Sequence, residues 1–121
     1  MSNLESIVPP LDLCKMIPAG EFEDTALVWV DDQDGIETVL PRDVAQFKLF
    51  DVYHMTPAPT LAEILNALYK QDRYENKLKI CPVFPGGEWS IGYSYKRLEK
   101  DFDLTAAALR LWFKVKGVEV E

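Results

Sequence analysis

An α+β fold is the class this sequence predicts, and three features predict it. The segments TALVWV (25–30) and EWSIGYSY (88–95) carry the β-branched content or strict alternation of strands. The segments LAEILNALYK (61–70) and LTAAALRLWFKVK (104–116) repeat apolar residues at helical spacing. Turn residues divide the chain into the order α-β-β-α-β-β-α, which predicts a mainly antiparallel four-stranded sheet with helices packed on one face. At 121 residues, 48% hydrophobic and 27% charged, the chain fits one α+β domain spanning 1–121.

Each element has a local reason. In Pro10-Leu-Asp-Leu-Cys-Lys-Met-Ile17, Pro10 suits a first helical position, Leu13, Met16 and Ile17 share a face, and Pro18 stops the helix. Thr25–Val30 reads as a strand buried on both faces, with Ile36–Leu40 as its partner and Pro41 as its end. Residues 41–56 are the least legible, with room for a turn of helix and a short strand over Phe50–His54. Thr56-Pro-Ala-Pro59 is a stiff connector, after which Thr60 and Glu63 have the spacing of a capping box. The helix that follows puts Leu61, Ile64, Leu65 and Leu68 on one face.

Lys79–Phe84 and Glu88–Tyr95 read as a second hairpin around Pro85-Gly86-Gly87. Its second strand turns Trp89, Ile91, Tyr93 and Tyr95 to the core and leaves Ser90, Gly92 and Ser94 outside. The last helix opens on Asp103 as N-cap and stops at Gly117. Ala107, Ala108, Leu111, Trp112 and Val115, widened by Leu109 and Phe113, predict that it is largely buried.

The stretch WVDDQDGIE (29–37) superficially suggests a cation loop. Aligned on an EF-hand, however, its first and twelfth positions fall on Val30 and Pro41, which offer no side-chain ligand. Asp34-Gly35 instead suits the positive φ of a tight hairpin turn, so no metal is expected there. The single histidine, His54, excludes sites that need two imidazoles and reads as a partly buried strand residue. No G-x-S-x-G, no phosphate-cradling strand–glycine–helix and no glycine-flanked cysteine is present. The carboxylate pairs Glu21/Glu23 and Asp101/Asp103 lie in polar surroundings that give no reason for a raised pKa. No catalytic residue and no cofactor is therefore expected, and the protein reads as a non-enzyme. Cys14 and Cys81, far apart and without a C-x-x-C, read as free, buried thiols. The acidic, core-less N-terminus argues against a secretory signal and no run is long enough for a membrane span, so a cytoplasmic location is expected.

Charge is unevenly spread. Residues 1–60 hold 11 acids and 3 bases, a net of −8, whereas residues 61–121 hold 9 acids and 10 bases, a net of +1. The acidic half points to a basic protein partner, with Asp31, Asp32, Asp34 and Glu37 as the candidate contact residues, or simply to a solvated surface. The alternative is weak nucleic-acid binding through Lys77, Lys79, Lys96 and Arg97, with Tyr74, Tyr93 and Tyr95 nearby. The overall charge of −7 disfavours it. Homo-oligomerisation is open, and no membrane partner is expected.

PLDLCKMIPAG followed by TALVWV, then TPAPTLAEIL, then DLTAAALRLWFKVKGV occur in that order. Together they resemble a loose group of small uncharacterised proteins encoded by bacterial phages, prophages and other mobile elements. That group pairs a Pro-rich lead into a T-x-x-E/Q helix with an alanine-rich, Trp-containing terminal helix ending at Lys/Asn-Gly. The likeness covers most of the chain except 41–56 and 70–80, and this chain differs in ending VEVE. It implies a genetic context, not an activity, and no particular site residue; a non-enzymatic accessory role through protein contact is the function expected of such a chain.

Overall fold

Residues 3–31, 37–47, 55–71, 78–83, 86–93 and 96–118 are described by the computed structural model. The chain divides into two units, Met1–Thr60 and Leu61–Glu121. The division falls where the charge changes, so the −8 belongs to the first unit and the +1 to the second.

The first unit opens with a 3-10 turn at Asn3–Ile7 and the short helix α1 (Leu11–Cys14). Pro10 stands one place before the helix, at φ −56° and ψ 150°, and not within it. Strand β1 (Leu27–Asp31) is central, flanked antiparallel by β2 (Glu37–Pro41) and β3 (Met55–Pro57), and α2 (Arg42–Phe47) follows β2. Because side chains alternate along a strand, β1 feeds two cores. Leu27 packs with Val8, Val39 and Ala58, with Trp29 and Leu4 at the margin. Val28 and Val30 pack with Ala45, Leu40 and Met55 on the other side. Leu27–Val30 is thus an unbroken apolar run because both faces of β1 carry core residues there. The expected strand at Phe50–His54, with His54 itself, and the tip of the first hairpin lie outside the described residues.

Arg42 fixes where β1 begins. Its backbone N–H donates to the Ala26 carbonyl at 2.8 Å, Nε donates to the Thr25 carbonyl at 2.7 Å, and Nη2 donates to Thr25 Oγ1 at 2.8 Å. Thr25, only 2% exposed, uses its hydroxyl hydrogen on the Leu27 carbonyl at 2.7 Å. The planar fork of the guanidinium suits this two-point grip.

The second unit runs α3 (Leu61–Gln71), β4 (Leu78–Val83), β5 (Glu88–Tyr93), β6 (Lys96–Asp101) and α4 (Leu104–Lys116). Its sheet is antiparallel in the order β4-β5-β6. The turn into β5 places Gly87 at φ +76°, with its N–H donating to the Val83 carbonyl at 3.0 Å. Helix α4 is capped as its sequence predicts. The Asp103 carboxylate accepts from the Thr105 N–H at 3.0 Å. At the other end Gly117, at φ +76°, donates to the Lys114 carbonyl while Val118 donates to that of Phe113, the two bonds of a Schellman motif. Ala106 through Leu109 and Leu111 through Phe113 are buried, and the Trp112 and Phe113 rings meet edge to face at 5.6 Å. Helix α4 packs on β5 and β6, and α3 packs on α4 with Ile64 and Leu68 fully buried.

The α+β class holds, but the single four-stranded sheet does not. There are two three-stranded sheets, because β3 and β6 join the four expected strands and α2 changes the order. Strand β3 is three residues long and contains Pro57, so its sequence reads as a connector. Strand β6 (KRLEKD) lacks apolar alternation because its contacts with α4 include ion pairs, Asp101 with Arg110 at 3.8 Å and Glu99 with Lys114. The helices do not share one sheet face either, since α3 packs on α4.

Strand β5 matches its predicted alternation only in part. Ile91 is buried, whereas Trp89 and its neighbour Ile80 on β4, which opposes Ile91, are each 37% exposed. Strand β4 is an edge strand and exposed along most of its length, so Cys81, expected to be buried, is exposed. Among the described residues three of the four edge strands contain proline, Pro41 in β2, Pro57 in β3 and Pro82 in β4, while the sequence of β6 includes Lys96, Arg97 and Lys100. Proline and lysine are both suited to sheet edges.

Candidate functional site

The acidic end of the first hairpin is where the candidate contact residues can be placed. Asp31 and Glu37 are directly opposed across β1 and β2, and both are exposed. Like charges facing each other across strands repel. Among the described residues one cation answers them: Lys15, just after α1, sets its Nζ 3.6 Å from Glu37 Oε1, with both side chains about half exposed. The Asp31 carboxylate has no ion pair or hydrogen bond among the described residues. Asp32 and Asp34 lie outside those residues.

Strand alternation puts Trp29 on the same face as Asp31, and Trp29 is opposed by Val39 on β2 and Thr56 on β3. Along this face β1 grades from buried Leu27, through half-buried Trp29, to exposed Asp31. Where the core runs out, a shallow pocket of about 170 Å³ opens. Leu11, Trp29 and Thr56 supply much of its wall, and Lys15, Asp31 and Glu37 its charged rim. The Trp29 indole is anchored by its Nε1–H, which donates to the Pro9 carbonyl at 3.3 Å. Sequence reasoning found the two acids but missed Lys15, Trp29 and Thr56. The period of two along β1 linked Trp29 to Asp31, whereas only tertiary contact brings in Lys15 and Thr56.

The other candidates are not gathered into one site. Lys79 lies on β4, while Lys96 and Arg97 lie on β6, with β5 between the two edges, a separation of about 10 Å at ordinary strand spacing. Lys77 is outside the described residues. Asp101 and Asp103 have structural partners: Asp101 accepts from the Asp103 N–H at 2.9 Å and pairs with Arg110, and Asp103 caps α4. Cys14 is 1% exposed, donates to the Pro9 carbonyl at 3.5 Å, and has its pKa pushed up by burial to about 12. A thiol held neutral in this way is a poor nucleophile.

Among the described residues no group of three or more His, Cys, Asp or Glu side chains is arranged to hold a metal ion. No helix among them is long and apolar enough to cross a membrane. Comparison with protein-family models, curated proteins and solved structures finds no match to this chain.

Proposed function

We propose that this chain is a non-enzymatic accessory protein of a phage or other mobile element that acts by contact with a basic protein. The contact surface is the acidic hairpin, Asp31 and Glu37 together with Asp32 and Asp34. One observation carries this choice: two exposed, directly opposed carboxylates, only one of which has a cation beside it among the described residues. Such a pair attracts a positively charged surface and steers it during approach. The mobile-element context comes from the sequence resemblance alone.

The test is capture from host lysate by the tagged protein, run in parallel with a variant carrying Asp31→Asn, Asp32→Asn, Asp34→Asn and Glu37→Gln. A specific protein retained by the first and lost by the second, with retention weakening as salt rises, is the expected result. Retention indifferent to the four acids would refute the contact role. Titration with duplex DNA, single-stranded DNA and RNA examines the competing activity. Salt-sensitive binding in the range of about 10⁻⁴ to 10⁻⁶ M, abolished by Lys79→Glu with Lys96→Glu, would replace protein contact with nucleic-acid binding.

A further inference from the structure

We infer that the pocket beside Trp29 receives an arginine side chain from the partner, and that Lys15 competes with it for the same rim. This deepens the contact role proposed above and depends on it. The pocket supplies two things a guanidinium recognises. Its wall contains the half-buried indole of Trp29, over which a planar cation can stack. Its rim contains the Asp31 carboxylate, which has no partner of its own among the described residues and can take two parallel N–H bonds.

Charge complementarity names the occupant. The unit around the pocket carries −8, and the rim carries two carboxylates against one ammonium, so it lacks one positive charge. Lys15 already shows how a cation sits at this rim, 3.6 Å from Glu37 and still half exposed. An arriving arginine meets Asp31 directly and shares Glu37 with Lys15. Lysine suits the site less well, because its compact, strongly hydrated ammonium has neither the fork for Asp31 nor the plane for Trp29. A neutral side chain gains only the apolar wall. Lys15 thus lowers the affinity of the pocket by placing a like charge next to the incoming one.

The probe is the peptide acetyl-Gly-Arg-Gly-Arg-Gly-amide, with its lysine and citrulline counterparts as controls, followed by nuclear magnetic resonance on the 15N-labelled full chain. The arginine peptide should shift the Trp29 indole N–H and the Asp31 amide along one saturable curve. The lysine peptide should bind more weakly, and the citrulline peptide, uncharged but of similar shape, should leave both signals in place. Asp31→Asn should weaken the arginine peptide by about fivefold, and Lys15→Met should tighten it by about threefold. Because Trp29→Leu could disturb the adjoining core, Trp29→Phe is the companion variant, with weakened binding expected in a folded protein. Equal binding of the arginine and citrulline peptides would overturn the assignment, as would binding unchanged by Asp31→Asn or weakened by Lys15→Met. Lysate capture separates the two levels. A partner lost on neutralising the four acids but indifferent to Trp29→Phe and Lys15→Met would leave the contact role standing and remove the arginine pocket. Capture that ignores the acids would remove both.

Discussion

Arg42 offers the most direct test of how the first unit is held together. Its side chain makes two charge-assisted hydrogen bonds to one residue, at 2.7 and 2.8 Å, and Thr25 is buried. A hydrogen bond to a charged group contributes about 1.5–3 kcal/mol. Arg42 is only partly buried, so the low end applies to each, and Arg42→Ala should cost about 3 kcal/mol. Arg42→Lys should recover one bond but not the fork, for a loss of about 1.5 kcal/mol. Thr25→Val removes the Nη2 contact together with the hydroxyl bond to Leu27, and should cost about 2 kcal/mol while leaving the Nε bond to the Thr25 carbonyl. The double variant should therefore be less destabilised than the two single losses combined, with a coupling of about 1 kcal/mol from the shared Nη2–Oγ1 bond. Since the chain has two units, the assay is amide hydrogen exchange at Val28 and Val30 of β1, which reports on the first unit alone. Arg42→Ala within about 0.5 kcal/mol of wild type, or strictly additive losses, would refute the two-point grip.

Other outcomes follow from the same physics. Asp103→Ala should lower stability by about 1 kcal/mol in urea denaturation, because the Thr105 N–H loses its cap. Gly117→Ala should cost about 1 kcal/mol by the same measurement; an added Cβ there meets nothing within 4 Å, so the penalty is that of the positive φ alone. Iodoacetamide at neutral pH followed by mass spectrometry should label exposed Cys81 readily and buried Cys14 only on unfolding. The folded state raises the Cys14 pKa from 9.0 to about 12, so Cys14 adds no pH dependence below pH 9.0 and stability falls between pH 9.0 and about 12, as the unfolded thiol ionises first. A Cys14→Ala variant should lack that part of the alkaline loss. Calorimetric titration of the metal-free protein with calcium should be flat, and a stoichiometric signal lost on Asp32→Asn with Asp34→Asn would contradict the hairpin reading of the loop.

The sequence was most legible where one local signal and one packing face agreed. Helix α4 shows this, with its Asp103 cap, its Gly117 stop and its apolar stripe all pointing to the same segment. The Leu27–Val30 part of β1 was equally plain, because an unbroken apolar run signals a strand with both faces covered. Strand β6 was hidden because charged partners on α4 take the place that apolar residues hold elsewhere, and β3 because two strand residues and a proline carry almost no periodic signal. Cys81 was misplaced because a free cysteine was expected to be buried, whereas it stands opposite Ser90 on an exposed edge strand; Trp89 was misplaced for a different reason. Alternation says which side of a strand a residue occupies, but not how far the covering helix extends across the sheet. At the candidate site, the acids could be read from composition and Trp29 from strand period. Lys15 and Thr56 could not, since α1 and β3 reach the hairpin only through the tertiary fold.

The prolines and lysines along the sheet margins have a consequence for how this protein can be recognised. Strand addition needs a run of outward backbone donors and acceptors, and an extended guest docked in that way is held largely regardless of its side chains. Pro41, Pro57 and Pro82 each remove a donor from an edge strand, and Lys96, Arg97 and Lys100 put charge along β6. With the generic backbone route discouraged at each edge among the described residues, discrimination of a partner of the kind proposed above would fall to the side chains it brings. A partner of the kind proposed could then drift in shape over evolution and still be bound, provided it kept its charged residues in register. Loss of one such residue would release it even if its backbone conformation were unchanged.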